Sequence, residues 1–359
     1  MSNRDWLCSR EAKLEALHER LAGAVESLVS GEDWVSAVVF AARFRSRSFS
    51  NTVLIYAQHV ERYAAGSVPE PFPTYVAGYR QWESLGRHVL KGQRGYVIQA
   101  PVLKRLASAT PGDPGSWRRL GFKEKPAAGE QVRRQIVSVR PAYVWDVSQT
   151  DGEPLPERPR PVLLEGQAPA GLWDGLAALV EADAFAVSTV ASAQDLAGAN
   201  GVTDYVERTV RVRADMDPAA RVKTLAHELA HVRMHQPPGD GEPRGCRGVR
   251  EVEAESVAMM VGAAHGMPTG GYTIPYVSAW AAGVVGKTPA EVVQSTGERV
   301  RAAASAILDR LDTAQLGGGD PPGLDRVKLA AGAAGTPGLG REPVPAAVLP
   351  VAAGLGAGL

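Results

Sequence analysis

Five consecutive residues, His227-Glu228-Leu229-Ala230-His231, constrain this chain more than any other stretch. Asp217-Pro218 suits the start of a helix, with Asp as N-cap and Pro at the first helical position. Pro237-Pro238 suits its end, because a residue before proline is pushed out of the helical region. Leu225, Leu229 and Val232 supply its packing positions. Residues four apart share a helix face, so His227 and His231 reach one metal ion while Glu228 is offset by one residue. Imidazole nitrogens suit Zn²⁺, and a catalytic zinc site takes three protein ligands and leaves a fourth position to water. Zinc lowers the pKa of such a water, and a carboxylate beside it can take the proton; Glu228 is the candidate base. His235 continues the same face one turn on and reads as a solvated group or as a partner behind a ligand.

The third ligand has to come from downstream. "GVREVEAESVAMMVG" offers Glu251, Glu253 and Glu255 on one predicted helix. Glu251 and Glu255 share a face, whereas Glu253 points about 200° away from Glu251. One carboxylate can bind the metal, and another can accept a hydrogen bond from a ligating histidine and fix its tautomer. "YVERTVRVRAD" predicts an edge strand beside the cleft, where an extended peptide can pair. Tyr272 and Tyr276 can donate to a developing oxyanion, or can pack on the core with Trp280.

Charge is unevenly placed. Residues 1–150 hold 21 Lys/Arg against 14 Asp/Glu, and the remainder holds 18 against 25, although the whole chain sums to zero. That asymmetry suggests a front half facing a polyanion. Arg43, Arg45 and Arg47 alternate with aromatic residues, followed by Tyr79, Trp82, Arg87, Lys91 and Arg94. Cations that track phosphates and rings that stack on bases are what single-stranded nucleic acid requires. Trp82 and Leu85, at helical spacing, suit a core equally well. Two cysteines, Cys8 and Cys246, exclude a disulfide framework and a cysteine-rich zinc site. The polar start lacks the apolar core of a signal peptide, and no run is long enough to span a bilayer, which predicts a cytoplasmic protein with no membrane partner.

Periodicity predicts helices at Asp5–Val29, Trp34–Arg45, Asn51–Tyr63 and Tyr79–Leu85, and strands at Gly95–Val102 and Arg133–Thr150, the latter interrupted at Pro141. Ser108–Glu130 reads as a mobile Gly/Pro loop. The Pro-rich residues 151–162 read as a linker between a first domain, 1–150, and a second, 163–313. Helices follow at Gly171–Ala182, Arg250–Gly262, Ala290–Ser295 and Glu298–Leu311, with a strand at Tyr205–Arg213. Residues 314–359 are Gly/Ala/Pro-rich and read as disordered.

"SFSNTVLIYAQ", "YRQWESLGRHVLKGQRGYVIQAP" and "YVWDVSQTDGEPLP" resemble the N-terminal single-stranded-DNA-binding domain of ArdC-type antirestriction proteins. "TLAHELAH" followed by "REVEAESVA" resembles their zinc-peptidase half, the gluzincin-type peptidases and, more distantly, the ImmA/IrrE peptidases. The likeness covers about residues 5–300. It implies an α+β chain of two domains, a small α+β single-stranded-DNA-binding domain and a zincin-like metallopeptidase domain. It also implies His227, His231 and Glu251 as ligands of Zn²⁺, Glu228 as base and Glu255 behind the ligands. The ImmA/IrrE pattern has Asn where this chain has Glu255. Single-stranded DNA and an unidentified protein substrate are the partners so implied. The competing readings are a DNA-coating protein with a structural zinc site, and an ImmA-like peptidase that cleaves a repressor. The sequence fixes no oligomeric state.

Overall fold

The structure, a computed structural model, describes residues 3–28, 30–121, 123–155, 166–235, 244–269, 280–282, 284 and 286–324, of which 3–11 and 244–247 are described by backbone alone. Most of the 151–162 linker, Tyr272, Tyr276, the Pro237-Pro238 stop and residues 325–359 lie outside this set. Among the described residues no helix is long and apolar enough to cross a membrane.

The chain is a mixture of helix and sheet, as expected. Three helices come first, α1 (Asn3–Glu26), α2 (Gly31–Arg43) and α3 (Phe49–Ala64). Serines set two of their starts. Ser30 Oγ accepts from the Asp33 amide at 3.0 Å while Asp33 Oδ2 accepts from the Ser30 amide at 2.8 Å, a reciprocal cap for α2. Ser48 Oγ accepts from the Asn51 amide at 3.2 Å and starts α3. Then come β1 (Val76–Ala77), α4 (Tyr79–Ser84), β2 (Arg87–Val89), β3 (Tyr96–Ser108), β4 (Arg118–Arg119), β5 (Gln131–Asp146) and β6 (Thr150–Gly152). The main sheet of the front half is antiparallel, in the order β1-β5-β3-β4.

β3 and β5 form a long hairpin running from Tyr96↔Val144 to Ser108↔Gln131. Pro141 does not interrupt it, as the sequence suggested; it sits opposite Gln99 inside the ladder. Among the described residues β1 pairs with β5 only at Trp145 and Asp146 and no other strand lies on that edge, so the missing N–H of Pro141 breaks no ladder bond. The other open edge is that of β3, and α3 closes it with two side-chain amides. Asn51 exchanges hydrogen bonds with the backbone of Gln99 at 2.8 and 2.9 Å, and Gln58 with that of Val97 at 2.9 Å in both directions. Each amide gives one donor and one acceptor and so substitutes for a strand. The supposed loop 108–130 folds back on the hairpin: β4 pairs with β3 at Leu106↔Arg119, and Arg118 holds Glu130 at 2.8 Å.

The second half contains α5 (Leu172–Ala182), β7 (Ala186–Val190), β8 (Gly201–Asp204), β9 (Thr209–Arg213), α6 (Pro218–Met234), α7 (Arg244–Ala264) and α8 (Pro289–Leu308). Its sheet has the order β7-β9-β8, with β7 parallel and β8 antiparallel to β9. This corrects the expected edge strand. Tyr205–Arg213 is not one strand: Asp204 Oδ1 accepts from the Val206 and Glu207 amides at 2.9 and 3.0 Å and turns the chain. β9 therefore lies in the middle, and β8 forms the edge.

One buried apolar cluster runs from Leu17, Trp34 and Phe49 of the front helices to Leu225, Leu229, Val257 and Met260 of the back. Trp34 is its hinge pin. Fully buried, it packs edge-on to Trp280 at 5.2 Å and donates its indole N–H to Ser256 Oγ at 2.9 Å. The two helices expected at 290–295 and 298–311 are one, α8, because Gly297 marks a contact and not a break. A Cβ there would lie 2.4 Å from the Phe49 ring, so only glycine lets α3 and α8 approach this closely.

Residues 314–324, expected to be disordered, form a strap across the front half. Arg45 donates to Leu316 O at 2.8 Å and to Gln315 Oε1 at 3.1 Å, and the Val76 amide donates to Gly319 O at 3.0 Å. Gly319 has φ +86°, and a Cβ on it would meet Phe44 at 2.5 Å. Two requirements thus fall on one residue of a stretch that composition alone reads as featureless.

Gly297→Ala overpacks the α3–α8 contact and is expected to cost about 1–3 kcal/mol. Chemical denaturation measures it; a midpoint equal to that of the parent would show that the helices separate without cost.

Candidate functional site

α6 begins where its sequence says, with Asp217 Oδ1 accepting from the Ala220 amide at 2.8 Å. Val222, Leu225, Ala226, Leu229 and Ala230 bury one face. His227 and His231 lie on the flank of that face, toward α7. Their Nε2 atoms are 3.0 Å apart. Glu251, on the first half of α7, brings its carboxylate to 3.5 Å from His227 Nε2 and 3.7 Å from His231 Nε2. One donor atom from each residue fits within 4.8 Å of the other two. A tetrahedral ion with metal–nitrogen bonds of about 2.05 Å needs donors about 3.3 Å apart, so the set fits a divalent metal of that size.

The remaining acidic residues divide the work around these three. Glu255 Oε2 lies 3.2 Å from His227 Nδ1, and Lys223 Nζ lies 2.8 Å from its Oε1. This holds the His227 ring with Nε2 toward Glu251. Glu228 is buried, and Thr203 Oγ1 on β8 donates to its Oε2 at 2.7 Å. Gly201 faces the same carboxylate. A Cβ there would stand 2.9 Å from Glu228 Oε1 and 2.6 Å from Thr224 Cγ2, so the edge strand reaches α6 only because residue 201 lacks a side chain. Tyr205 donates its hydroxyl proton to His231 O at 3.0 Å. A cleft of about 560 Å³ opens here, lined among others by Asn200, Gly201, Thr224, His227, Glu228 and Glu255.

Carboxylates crowd the two histidines, and the groups shift one another's titration. Burial pulls the His227 imidazole down, but the Glu251 and Glu255 carboxylates facing it outweigh that and push its pKa up to about 9. The same contacts with His227 and His231 hold Glu251 well below the usual carboxylate range. Burial raises Glu255, yet His227 and Lys223 bring it below its ordinary value.

The front-half candidates separate into two groups. Arg43, Tyr79, Lys91 and Arg94 face solvent. The other four are committed to the fold, which corrects the expectation that they face DNA. Trp82 is fully buried and donates its indole N–H to Trp145 O at 3.0 Å. Arg47 is buried against Val76 O and Asp320, Arg45 grips the strap, and Arg87 binds Thr150 O at 3.0 Å and Glu153 O at 2.6 Å. The hairpin arm carries residues that the sequence reading passed over. Arg119, Lys123, Lys125, Arg133, Arg134 and Arg140 are exposed there, beside exposed Leu103, Val132 and Ile136. Arg105 stands directly opposite Arg134. Like charges paired across a ladder are unfavourable in the free protein and are relieved by an anion. The alternation in "QVRRQIVSVR" was the available signal.

Residues 14–145 match the N-terminal domain of anti-restriction factor ArdC. No curated protein matches the chain. Among solved structures, a metal-free crystal structure of the antirestriction ArdC protein from the R388 plasmid superposes with a TM-score of 0.47 at 17% identity, covering 81% of this chain and 97% of that one. An Mn(II)-bound structure of the same R388 protein gives 0.41 at 18% identity, covering 74% and 88%.

Because His227 keeps its proton up to about 9, a divalent ion has to displace it at lower pH. Metal uptake near pH 7.5 is expected to release about one proton, and affinity to fall as pH drops. Calorimetry in buffers of different ionisation enthalpy reads this directly; a heat independent of buffer would contradict it.

Proposed function

We propose that this chain, ArdC-like in its front half, is an antirestriction protein that holds single-stranded DNA and carries a zinc metallopeptidase centre behind it. The observation that carries the peptidase reading is the donor triangle of His227, His231 and Glu251 with Glu228 on the next helical position, His227 and Glu228 lining an open cleft. Two imidazoles and one carboxylate are a donor set that zinc favours and that leaves room for a reacting group. When bound, zinc polarises a carbonyl and makes water nucleophilic at neutral pH.

The chain's own residues supply the rest. Glu228 takes the proton of the attacking water and passes it to the departing amide nitrogen. Thr203, donating to one carboxylate oxygen at 2.7 Å, leaves the other for that proton. β8 is the edge of its sheet, and its outer side is where an extended peptide can add as a further strand across the cleft. Gly201 keeps that strand close to Glu228.

The single-stranded-DNA reading is supported by the match of residues 14–145 and by the exposed cations and rings of the front half. Bound there, DNA raises the local concentration of proteins that sit on it, which makes them the substrates first encountered.

Glu228→Gln is expected to leave zinc and DNA binding intact and to abolish cleavage of DNA-binding proteins, read by mass spectrometry of the digest. If cleavage persists, Glu228 is not the base. If protection of DNA from a restriction nuclease survives the change, that protection comes from coating alone. Replacing both Lys91 and Arg94 with Ala is expected to weaken single-stranded DNA binding and to flatten its log–log salt dependence by about 0.7 per lost phosphate contact. Trp82→Ala is expected to lower thermal stability instead.

A further inference from the structure

His235 and Glu253 were left without a role by the proposed chemistry, yet they are among the most deeply placed polar groups of the chain. Their side chains are only 4% and 6% exposed and meet at 3.0 Å, His235 Nε2 to Glu253 Oε2. Groups so buried are destabilising unless partnered, and each has a second partner. His235 Nδ1 lies 2.9 Å from Nδ1 of His231. Glu253 Oε1 accepts from Arg299 Nε on α8 at 2.5 Å, and Arg299 Nη2 also reaches Thr296 Oγ1 at 3.2 Å. The helix ends to allow this. α6 stops at Met234, and His235 adopts φ −120°, ψ 141° with its ring 5.0 Å from that of His231.

We propose that buried His235 and Glu253, anchored by Arg299 at the surface, form a relay that fixes His231 in the single tautomer and ring orientation able to bind metal through Nε2. The inference rests on the metal-centre reading given above. Only one hydrogen can lie between two facing Nδ1 atoms. If His231 offers the Nε2 lone pair to a metal, its proton is on Nδ1 and is donated to His235. His235 Nδ1 is then bare, its own proton is on Nε2, and that proton goes to Glu253. Arg299 donates to the other carboxylate oxygen and so fixes the orientation of Glu253. Every link has one donor and one acceptor, and none is left over. The opposite tautomer would turn the His235 Nε2 lone pair on the carboxylate and put a proton on His231 Nε2, in the middle of the donor triangle. The two ligands are thus held in parallel ways, His227 by Glu255 directly and His231 by Glu253 through a second imidazole. These are positioning residues; none of the three touches the donor triangle except through His231.

Competition between the metal-free protein and a chromophoric chelator for Zn²⁺ tests the relay without any activity assay. His235→Phe keeps a ring of similar size but offers no acceptor; its zinc affinity is expected to fall by about 10–100-fold. His235→Asn puts an amide oxygen close to the position of Nδ1 and is expected to regain most of that loss. Glu253→Gln, which retains an oxygen for His235 but turns a donor on Arg299, is expected to lose several-fold and serves should the phenylalanine variant fail to fold, as checked by circular dichroism. A folded His235→Phe protein within about twofold of the parent, or an asparagine variant no better than phenylalanine, overturns the relay. If the parent itself takes up no zinc, the metal-centre reading falls and the relay with it, whereas equal uptake by parent and variants sinks the relay alone.

Discussion

The register between α6 and α7 is the constraint on which the rest of the molecule depends. His227 and His231 are useful only if Glu251 arrives opposite the gap between their rings. The distance from a carboxylate to two imidazoles tolerates no slip of a helical turn, which is about 5.4 Å. Buried side chains set that register: Leu225 and Leu229 on α6, and Val252, Val257 and Met260 on α7. Polar groups then refine it. Glu255 meets His227 and Lys223, Glu253 meets His235, and Ser256 meets Trp34. With Glu253 also held by Arg299, α7 is tied to α6, α2 and α8, so it can neither rotate nor slide alone.

One of those neighbours belongs to the front half. Trp34 sits on α2, and through Ser256 the helices ahead of the front sheet are packed onto the helix that carries Glu251. A single apolar cluster serves both halves. Side chains in such a core are close-packed, so a shift on one side is felt on the other. The front half is therefore part of what supports the centre, in addition to any ligand it holds.

Much of the centre could be read before the structure, because its signals are local. The Asp-Pro start, the four-residue spacing of the histidines and the opposite face of Glu253 are all consequences of helix geometry. Glu251 as the third donor required a family resemblance, since spacing alone allowed Glu255 equally. What escaped the reading depends on contacts distant in sequence. Asn51 and Gln58 look like ordinary polar positions on a helix until β3 is beside them. Gly297 looks like a break until Phe49 is seen against it. Arg45 and Arg47 look like phosphate ligands, and they are internal because residues 315–320 return to meet them. The hairpin at Asp204–Arg208 was missed because the β-rich pattern on either side ran through a turn that one aspartate imposes.

The strap at 315–320 also orders events in time. Proteins emerge from the ribosome from the front, and domains ordinarily fold in that order. Here the amide of Val76 on β1, and the side chains of Arg45 and Ser46, find their acceptors on residues 316–319, more than 240 positions later in the chain. The front half is made first but completed last. Until the distal segment leaves the ribosome, the front sheet lacks the acceptor for the Val76 amide on β1, and Arg45 lacks its carbonyl. The nascent chain thus acquires its finished front surface only once the histidine helix and its glutamate partner have also been synthesised, so the two halves mature together.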